Sequence, residues 1–340
     1  MKIFKKLMIA SLCFLWSINS QAQLFKYNGK TYDSGDLGGK FKVQLYELES
    51  NHHTSKQKVV ELAVLDLYLA EVAKKEKKPL SAVRDRLLAV KEPSEKELKD
   101  FYEQNKNKIP YPYDQVKSQL IRFVKQQNTA KKTAELVEKA KKSGKFQFLI
   151  EAPKAPKIDI NTKGFASKGK ATSKITVVEF ADYKCPHCRQ AYMEFKGLHK
   201  KYGDKINFVF IDFPLSPLST SVAEAAYCAK QQNKYWEFHA LLYEKQKDVS
   251  LEALPKLAEE IKLNKDQFNK CVKNRDGKEF VEKGKAEGER VGVQATPTIF
   301  VNGQKATGGA HNHDHGAGHH HHHGATGETA ELIKAALKVL

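Results

Sequence analysis

Apolar positions along this chain follow two different periods. From about residue 56 to 78, Val59, Leu62, Ala63, Leu65, Leu69 and Val72 recur at helical spacing among polar neighbours, and Pro79 marks the end of that helix. Ser94 with Glu97 forms a capping box after Pro93 and opens a further helix through Leu98, Phe101 and Tyr102. Pro110 and Pro112 interrupt the chain. A long helix follows from about Asp114 to Ser143, with Val116, Leu120, Phe123 and Val124 near one end, Leu136, Val137 and Ala140 near the other, and Gly144 closing it. Ahead of these helices, Phe25 to Tyr32 reads as a short strand and turn around Asn28-Gly29.

After residue 172 strand-like runs enter. Ile175 to Phe180 is a short apolar run, Ile206 to Ile211 alternates, and Thr296 to Val301 is an apolar strand entered through Pro297 and followed by an Asn302-Gly303 hairpin. Helical patterns separate them: Gln190 to Tyr202, an Ala-, Glu- and Lys-rich stretch over 219–290, and a closing helix over 328–340. Residues 151–172, with Pro153, Pro156, Gly164, Gly169 and many lysines, have linker composition. The pattern therefore predicts a helical module over 23–150, a linker over 151–172 and an α/β domain over 173–340.

The first 22 residues stand apart. Lys2, Lys5 and Lys6, an apolar run from Leu7 to Trp16, and Ser20-Gln21-Ala22 have the layout of a secretory signal with cleavage after Ala22. The run is too short for a comfortable membrane span, and Leu12 before Cys13 is a poor lipidation signal. The mature chain is expected to be periplasmic or otherwise exported. Its formal net charge of +18 falls to +15 without the three signal lysines. The charge lies on lysine-rich helix faces, without arginine blocks and interleaved aromatics, which argues against a nucleic-acid partner. A basic surface that attracts acidic unfolded chains or anionic membranes is sufficient.

Cysteine placement carries the chemistry. Cys185-Pro186-His187-Cys188 sits between the Ile175–Phe180 strand and the Gln190–Tyr202 helix. Cys185 at a helix N-terminus faces unpaired N–H groups and the positive end of the helix dipole, which favour its thiolate. Cys188 lies one turn in, placed to attack a mixed disulfide and release the partner. Pro186 fixes the turn, and a protonated His187 would add positive charge. Zinc uses the same spacing but needs a second ligand pair, which the widely separated Cys228 and Cys271 do not form. Four cysteines remain after signal removal, which suits a second, structural pair of Cys228 with Cys271; two separate buried thiols are the alternative.

Two resemblances sharpen this. Residues 24–145 resemble the helical chaperone module of SurA-type periplasmic prolyl isomerases, through Tyr27-Asn28-Gly29-Lys30, Glu97 to Asn105 and Tyr113 to Lys117. No room remains for a parvulin domain, so isomerisation of prolyl bonds is not implied; client binding, oligomerisation and a helical spacer are the readings. Residues 157–340 resemble the DsbA-like family, through Val178-Glu179-Phe180, the Cys185–Cys188 motif, Phe213-Pro214-Leu215, Ala225 to Cys228 and Thr296-Pro297-Thr298. The resemblance implies a thioredoxin fold with an inserted helical domain over about 219–290. It implies a thiol:disulfide oxidoreductase in which Cys185 is the nucleophile and Cys188 resolves. Pro297 would be cis and present the Thr296 backbone to a client peptide as an added strand. Glu179 would carry protons for Cys188 beneath the motif; the alternative is an outward-facing carboxylate. No cofactor is required. The partners would be reduced or misfolded exported proteins and a membrane redox partner.

The Pro-His dipeptide favours a dithiol oxidase, because every group that stabilises the thiolate makes the disulfide more oxidising. If the N-terminal module assembles the chain into a homo-oligomer, an oligomeric disulfide isomerase or chaperone is the competing reading. A third class is metal handling. Residues 308–327 hold His311, His313, His315, His319, His320, His321, His322 and His323, where the family needs only a short turn. Imidazoles in such a tract can gather Zn, Cu or Ni without selecting one. Deleting residues 311–323 should abolish copper uptake in a titration; uptake equal to that of the intact chain would remove the metal reading.

Overall fold

The computed structural model describes residues 23–106, 109–306 and 325–338. The signal-like segment and all eight candidate metal histidines of the 308–327 stretch lie outside the described residues. Among the described residues no helix is long and apolar enough to cross a membrane.

The chain opens with a hairpin of β1 (Phe25–Tyr27) and β2 (Lys30–Tyr32) across Asn28-Gly29, both at positive φ. Four helices follow: α1 (Gly39–Glu76), α2 (Leu80–Leu88), α3 (Glu95–Asn105) and α4 (Tyr113–Lys142). The capping box at Ser94 and Glu97 is formed, each side chain accepting from the other residue's backbone N–H. Two small cores hold this unit together. Leu65, Leu69 and Ala73 of α1 meet Val83 of α2 and Leu136 and Val137 of α4. Leu98 and Tyr102 of α3 meet Val116, Leu120 and Val124 at the other end of α4.

Helix α1 begins at Gly39, well before residue 56. The run Ser50-Asn51-His52-His53-Thr54-Ser55 has weak helix propensity and breaks the apolar period, so local pattern hides the first four turns. Thr54 and Ser55 remain helical by donating their hydroxyls to the carbonyls of Ser50 and Asn51, each at 2.9 Å. At about 1.5 Å per residue, the 38 residues of α1 form a rod that leaves its own unit and reaches the second one. There Val43 is buried with Ile158, Val291 and Phe300, and Lys305 pairs with Glu47. Gly292, at φ +86°, approaches so closely that a Cβ would sit 3.1 Å from Lys40 Cα.

The second unit is built on a five-stranded sheet of order β3-β5-β4-β6-β7. Its strands are β3 (Ala166–Gly169), β4 (Thr176–Ala181), β5 (Asn207–Asp212), β6 (Thr298–Val301) and β7 (Gln304–Lys305). β4 and β5 are parallel, joined through α5 (Pro186–Tyr202), and β6 runs antiparallel to β4. Between β5 and β6 lie α6 (Pro217–Lys230), α7 (Tyr235–Glu244), α8 (Leu254–Glu260), α9 (Lys265–Asn274) and α10 (Lys278–Val291), and α11 (Ala325–Lys338) closes the chain. This is a thioredoxin fold with an inserted helical unit, preceded by a helical N-terminal region. The stretch 151–172, of linker composition, contributes edge strand β3, and Ile158 N–H donates to Gly303 O at 2.8 Å. Its prolines and lysines concealed the terminal strand of the sheet.

Side chains of β4 alternate between two cores. Val178 and Phe180 join Val209, Ile211 and Phe300 on the face covered by α10 and the start of α1. Val177 and Ala181 join Cys188, Phe208, Phe210 and the inserted helices on the other face. That period of two puts Glu179 on the same face as Cys188.

Cys228 of α6 and Cys271 of α9 are joined in a disulfide across 43 residues of sequence. Closing a loop of that length restricts the unfolded chain by roughly 4 kcal/mol in the entropic account. Replacing both cysteines with alanine should lower unfolding stability by about 2–5 kcal/mol, measured by urea denaturation. The Cys185–Cys188 exchange rate should persist, since neither residue is in the motif.

Candidate functional site

The motif lies at the carboxyl end of β4, where the chain turns into α5. Cys185 is the N-cap of α5 and Pro186 its first residue. Proline suits that position because its missing N–H would be unpaired anyway and its φ is already helical. The turn is clamped from several sides. Asp182 accepts from Lys184 N–H at 2.7 Å and from Leu215 N–H at 2.8 Å. Gln246 Nε2 donates to Tyr183 O at 2.8 Å and to Cys185 O at 2.9 Å. Lys184 Nζ donates to Gln246 O and Val249 O, and Arg189 Nε to Tyr243 O.

The two sulfurs, both thiols here, have opposite surroundings. Cys185 is half-buried and its pKa is lowered to about 5. The largest cause is a hydrogen bond from the Cys188 thiol; burial opposes it, and the Cys188 backbone N–H, Thr296 and the His187 backbone N–H add to it. About two pH units above its pKa, roughly 99% of this sulfur is thiolate at pH 7. Cys188 is fully buried, and burial together with the Cys185 sulfur pushes its pKa far upward. One sulfur is a standing nucleophile and the other holds a proton until it reacts. His187 is exposed and reaches the thiolate through its backbone N–H.

The Thr296–Pro297 peptide bond is cis. Thr296 is buried, and its carbonyl oxygen lies 3.3 Å from Cys185 Sγ, within reach of a thiol donor when Cys185 is protonated. Thr298 Oγ1 donates to Ala295 O at 2.7 Å and pins the turn that leads into β6. Five residues singled out in sequence around the sulfurs, Cys185, Pro186, His187, Cys188 and Thr296, thus meet at one point, with Pro297 bonded to the last. Glu179 lies behind them, 2% exposed, with Oε1 unpartnered among the described residues. Its pKa is raised to about 8 by burial first and by the Cys185 charge second.

Sequence reasoning missed a second buried acid and the aromatic network beside it. Asp212, at the end of β5, is raised to about 8 by burial, against a hydrogen bond from Tyr235 and with further help from Asp182. Tyr235 OH donates to Asp212 Oδ2 at 3.4 Å, Tyr183 OH to Tyr235 OH at 3.3 Å, and Tyr183 OH lies 3.1 Å from His239 Nδ1. Tyr243 is buried alongside and senses the charge of both Cys188 and Glu179. One signal was available: Asp212 ends an apolar strand immediately before the Phe213-Pro214-Leu215 stretch already singled out. The tyrosines and His239 carried none, since aromatic residues at helical spacing read as ordinary core.

The second unit is similar in sequence to known proteins. A family model described as Thioredoxin matches residues 161–315. A Bacillus anthracis protein named "Probable disulfide bond formation protein D" is 32% identical over 154 residues, covering 41% of this chain and 70% of that protein. The chain belongs to the thioredoxin-like thiol–disulfide oxidoreductase family. A Na(+)/H(+) antiporter NhaA 3 of Salinispora tropica is 33% identical over 144 residues, 42% of this chain. The chain spans only 22% of that antiporter's length. Among solved structures, oxidised BdbD from Bacillus subtilis is 27% identical, with a TM-score of 0.45, covering 55% of this chain and all of that one.

Alkylation of Cys185 by iodoacetamide should reach half its maximal rate near pH 5 and plateau above it. The thiolate is the reactive form, and a lowered pKa preserves it down to that pH. Cys188→Ala removes the largest stabilising hydrogen bond and should move the midpoint upward. A midpoint near the ordinary thiol value of about 8.5 in the unaltered chain would contradict the arrangement.

Proposed function

We propose that this protein is an exported dithiol oxidase that passes the Cys185–Cys188 disulfide to reduced proteins as they fold. The observation that carries the reading is the asymmetry of the sulfurs, a thiolate held near pKa 5 beside a buried, protonated thiol. The disulfide takes two electrons from a client dithiol in two exchanges. A client thiolate attacks Cys185 Sγ and forms a mixed disulfide, expelling Cys188 as the leaving sulfur. A second client thiolate then attacks the client sulfur of that bond and expels Cys185 as its stabilised thiolate. Because that product is stabilised, the protein's disulfide is a strong oxidant.

Cys188 leaves as a buried sulfur that must take up a proton, and Glu179, protonated at neutral pH and close enough to feel the Cys185 charge, is its proposed donor. The turn before β6 offers the Thr296 backbone beside the sulfurs, which suits a client held as an added strand. A membrane redox partner would reoxidise the pair.

A second reading, an oligomeric isomerase with a client-holding module, is favoured by one feature. Phe41, Leu48 and Leu62 lie exposed on α1 at multiples of seven residues, with Val59 and Leu67 also exposed. A seven-residue apolar spacing suits helix pairing between copies.

Two measurements separate the readings: the reduction potential of the Cys185–Cys188 pair, and recovery of a reduced against a scrambled substrate. The oxidase predicts a potential above about −180 mV and faster recovery of the reduced substrate only. A potential near −270 mV, or rescue of the scrambled substrate alone, would sink it.

A further inference from the structure

Between α5 and α7 lies a cavity of about 380 Å³ whose lining includes neither Cys185 nor Cys188. Its size falls within the range of small-molecule sites. α5 contributes a stripe of residues at helical spacing, Tyr192, Phe195, Lys196, His199 and Lys200. α7 contributes Trp236, His239, Ala240 and Glu244, and the sheet closes the back with Phe208 of β5, Lys168 of β3 and Glu179 of β4.

The lining is of two kinds. Tyr192, Phe208 and Trp236 offer flat apolar surface, with Phe208 and Trp236 rings 6.1 Å apart. Lys168, Lys196 and Lys200 line the cavity as well, with one carboxyl besides the buried Glu179, that of Glu244. That carboxylate, Glu244, is already engaged by Lys196 Nζ at 3.0 Å and Tyr192 OH at 3.2 Å. Among the described residues neither Lys168 nor Lys200 has an acidic partner; Lys168 Nζ instead lies 5.7 Å above the Trp236 ring. Two cations of the lining are therefore unbalanced by a carboxylate among the described residues.

The floor is polar and unsatisfied. Glu179, 2% exposed, lines the cavity with Oε1 unpartnered, a group that burial alone makes costly. His239, 5% exposed, lines it too. Its Nδ1 is engaged by Tyr183 OH at 3.1 Å, and Nε2 is its other ring nitrogen.

We propose that this cavity is a binding site for a compact aromatic anion, its ring packed against the wall formed by Trp236, Phe208 and Tyr192 and its anionic group at Lys168 and Lys200. The polar floor selects a molecule with a hydrogen-bonding group at the end opposite the charge. The walls supply apolar burial and the lysines supply charge complementarity, so a neutral molecule of the same shape loses one of the two contributions. The cavity shares Glu179 with the proposed proton path to Cys188, but binding is measured without any thiol chemistry, so either reading can fail alone.

The probe is 1-anilinonaphthalene-8-sulfonate, titrated into the full chain by fluorescence, with neutral N-phenyl-1-naphthylamine as its uncharged counterpart. Lys168→Glu with Lys200→Glu should weaken the sulfonate at least tenfold and leave the neutral dye within twofold. Ala240→Phe, which fills the cavity without changing charge, should weaken both dyes at least tenfold. Retained alkylation of Cys185 at about pH 6, where an ordinary thiol of pKa about 8.5 is protonated and unreactive, shows that each variant is folded. Sulfonate affinity within twofold of the unaltered chain in either variant, or equal affinity of the two dyes for the unaltered chain, overturns the proposal.

Discussion

The site depends on a single arrangement: the Cys185 sulfur sits where donors converge. The Cys188 thiol and N–H, the His187 N–H and Thr296 all converge on it. Glu179, the buried acid that feels the Cys185 charge, is held mostly protonated by its own burial. Had Glu179 been solvated, its charge would have opposed the thiolate; the same desolvation that raises one pKa therefore permits the other to fall. The rest of the second unit keeps these groups in register. β4 positions Glu179 and the motif on one face, Asp182 and Gln246 fix the turn, and β6 enters the sheet through Thr296-Pro297.

Behind the sulfurs the interior carries several polar side chains. Two carboxyls, three tyrosines and a histidine are buried on the face that carries Cys188. Burial makes each charged state expensive, so at neutral pH the network is mostly neutral: the two carboxyls are raised to about 8 and His239 is lowered to about 3, chiefly by burial. A neutral network costs less to bury than ionised groups and leaves protons available next to a thiol that must exchange one.

The N-terminal helices do not sit as a free appendage. α1 belongs to two cores at once, through Leu65 and Leu69 at one end and Val43 at the other. Its middle stretch bridges them with exposed side chains, and the Glu47–Lys305 pair ties it to β7. The likeness to SurA-type modules rests on sequence motifs; the described structure shows a helical region anchored to the thioredoxin unit through its first turns.

What could be read from sequence was whatever is encoded locally. The Cys185–Cys188 spacing, the proline at the first helical position, the capping box at Ser94 and the apolar periods of β4, β5 and α4 each depend on neighbours a few residues away, and each is found where its pattern lies. Edge strand β3 and the start of α1 were illegible because their stability comes from distant partners, Val209 and Phe210 for the strand and Val291 for the helix, overriding weak local propensity. The same holds for the chemistry. Cys185 was marked as a thiolate by its helix terminus, yet its largest stabilising group, the Cys188 thiol, and its companion Thr296 were set by folding. Asp212, Tyr183, Tyr235 and His239 come from two strand ends and a helix, so only tertiary structure could decide that they form one hydrogen-bonded chain.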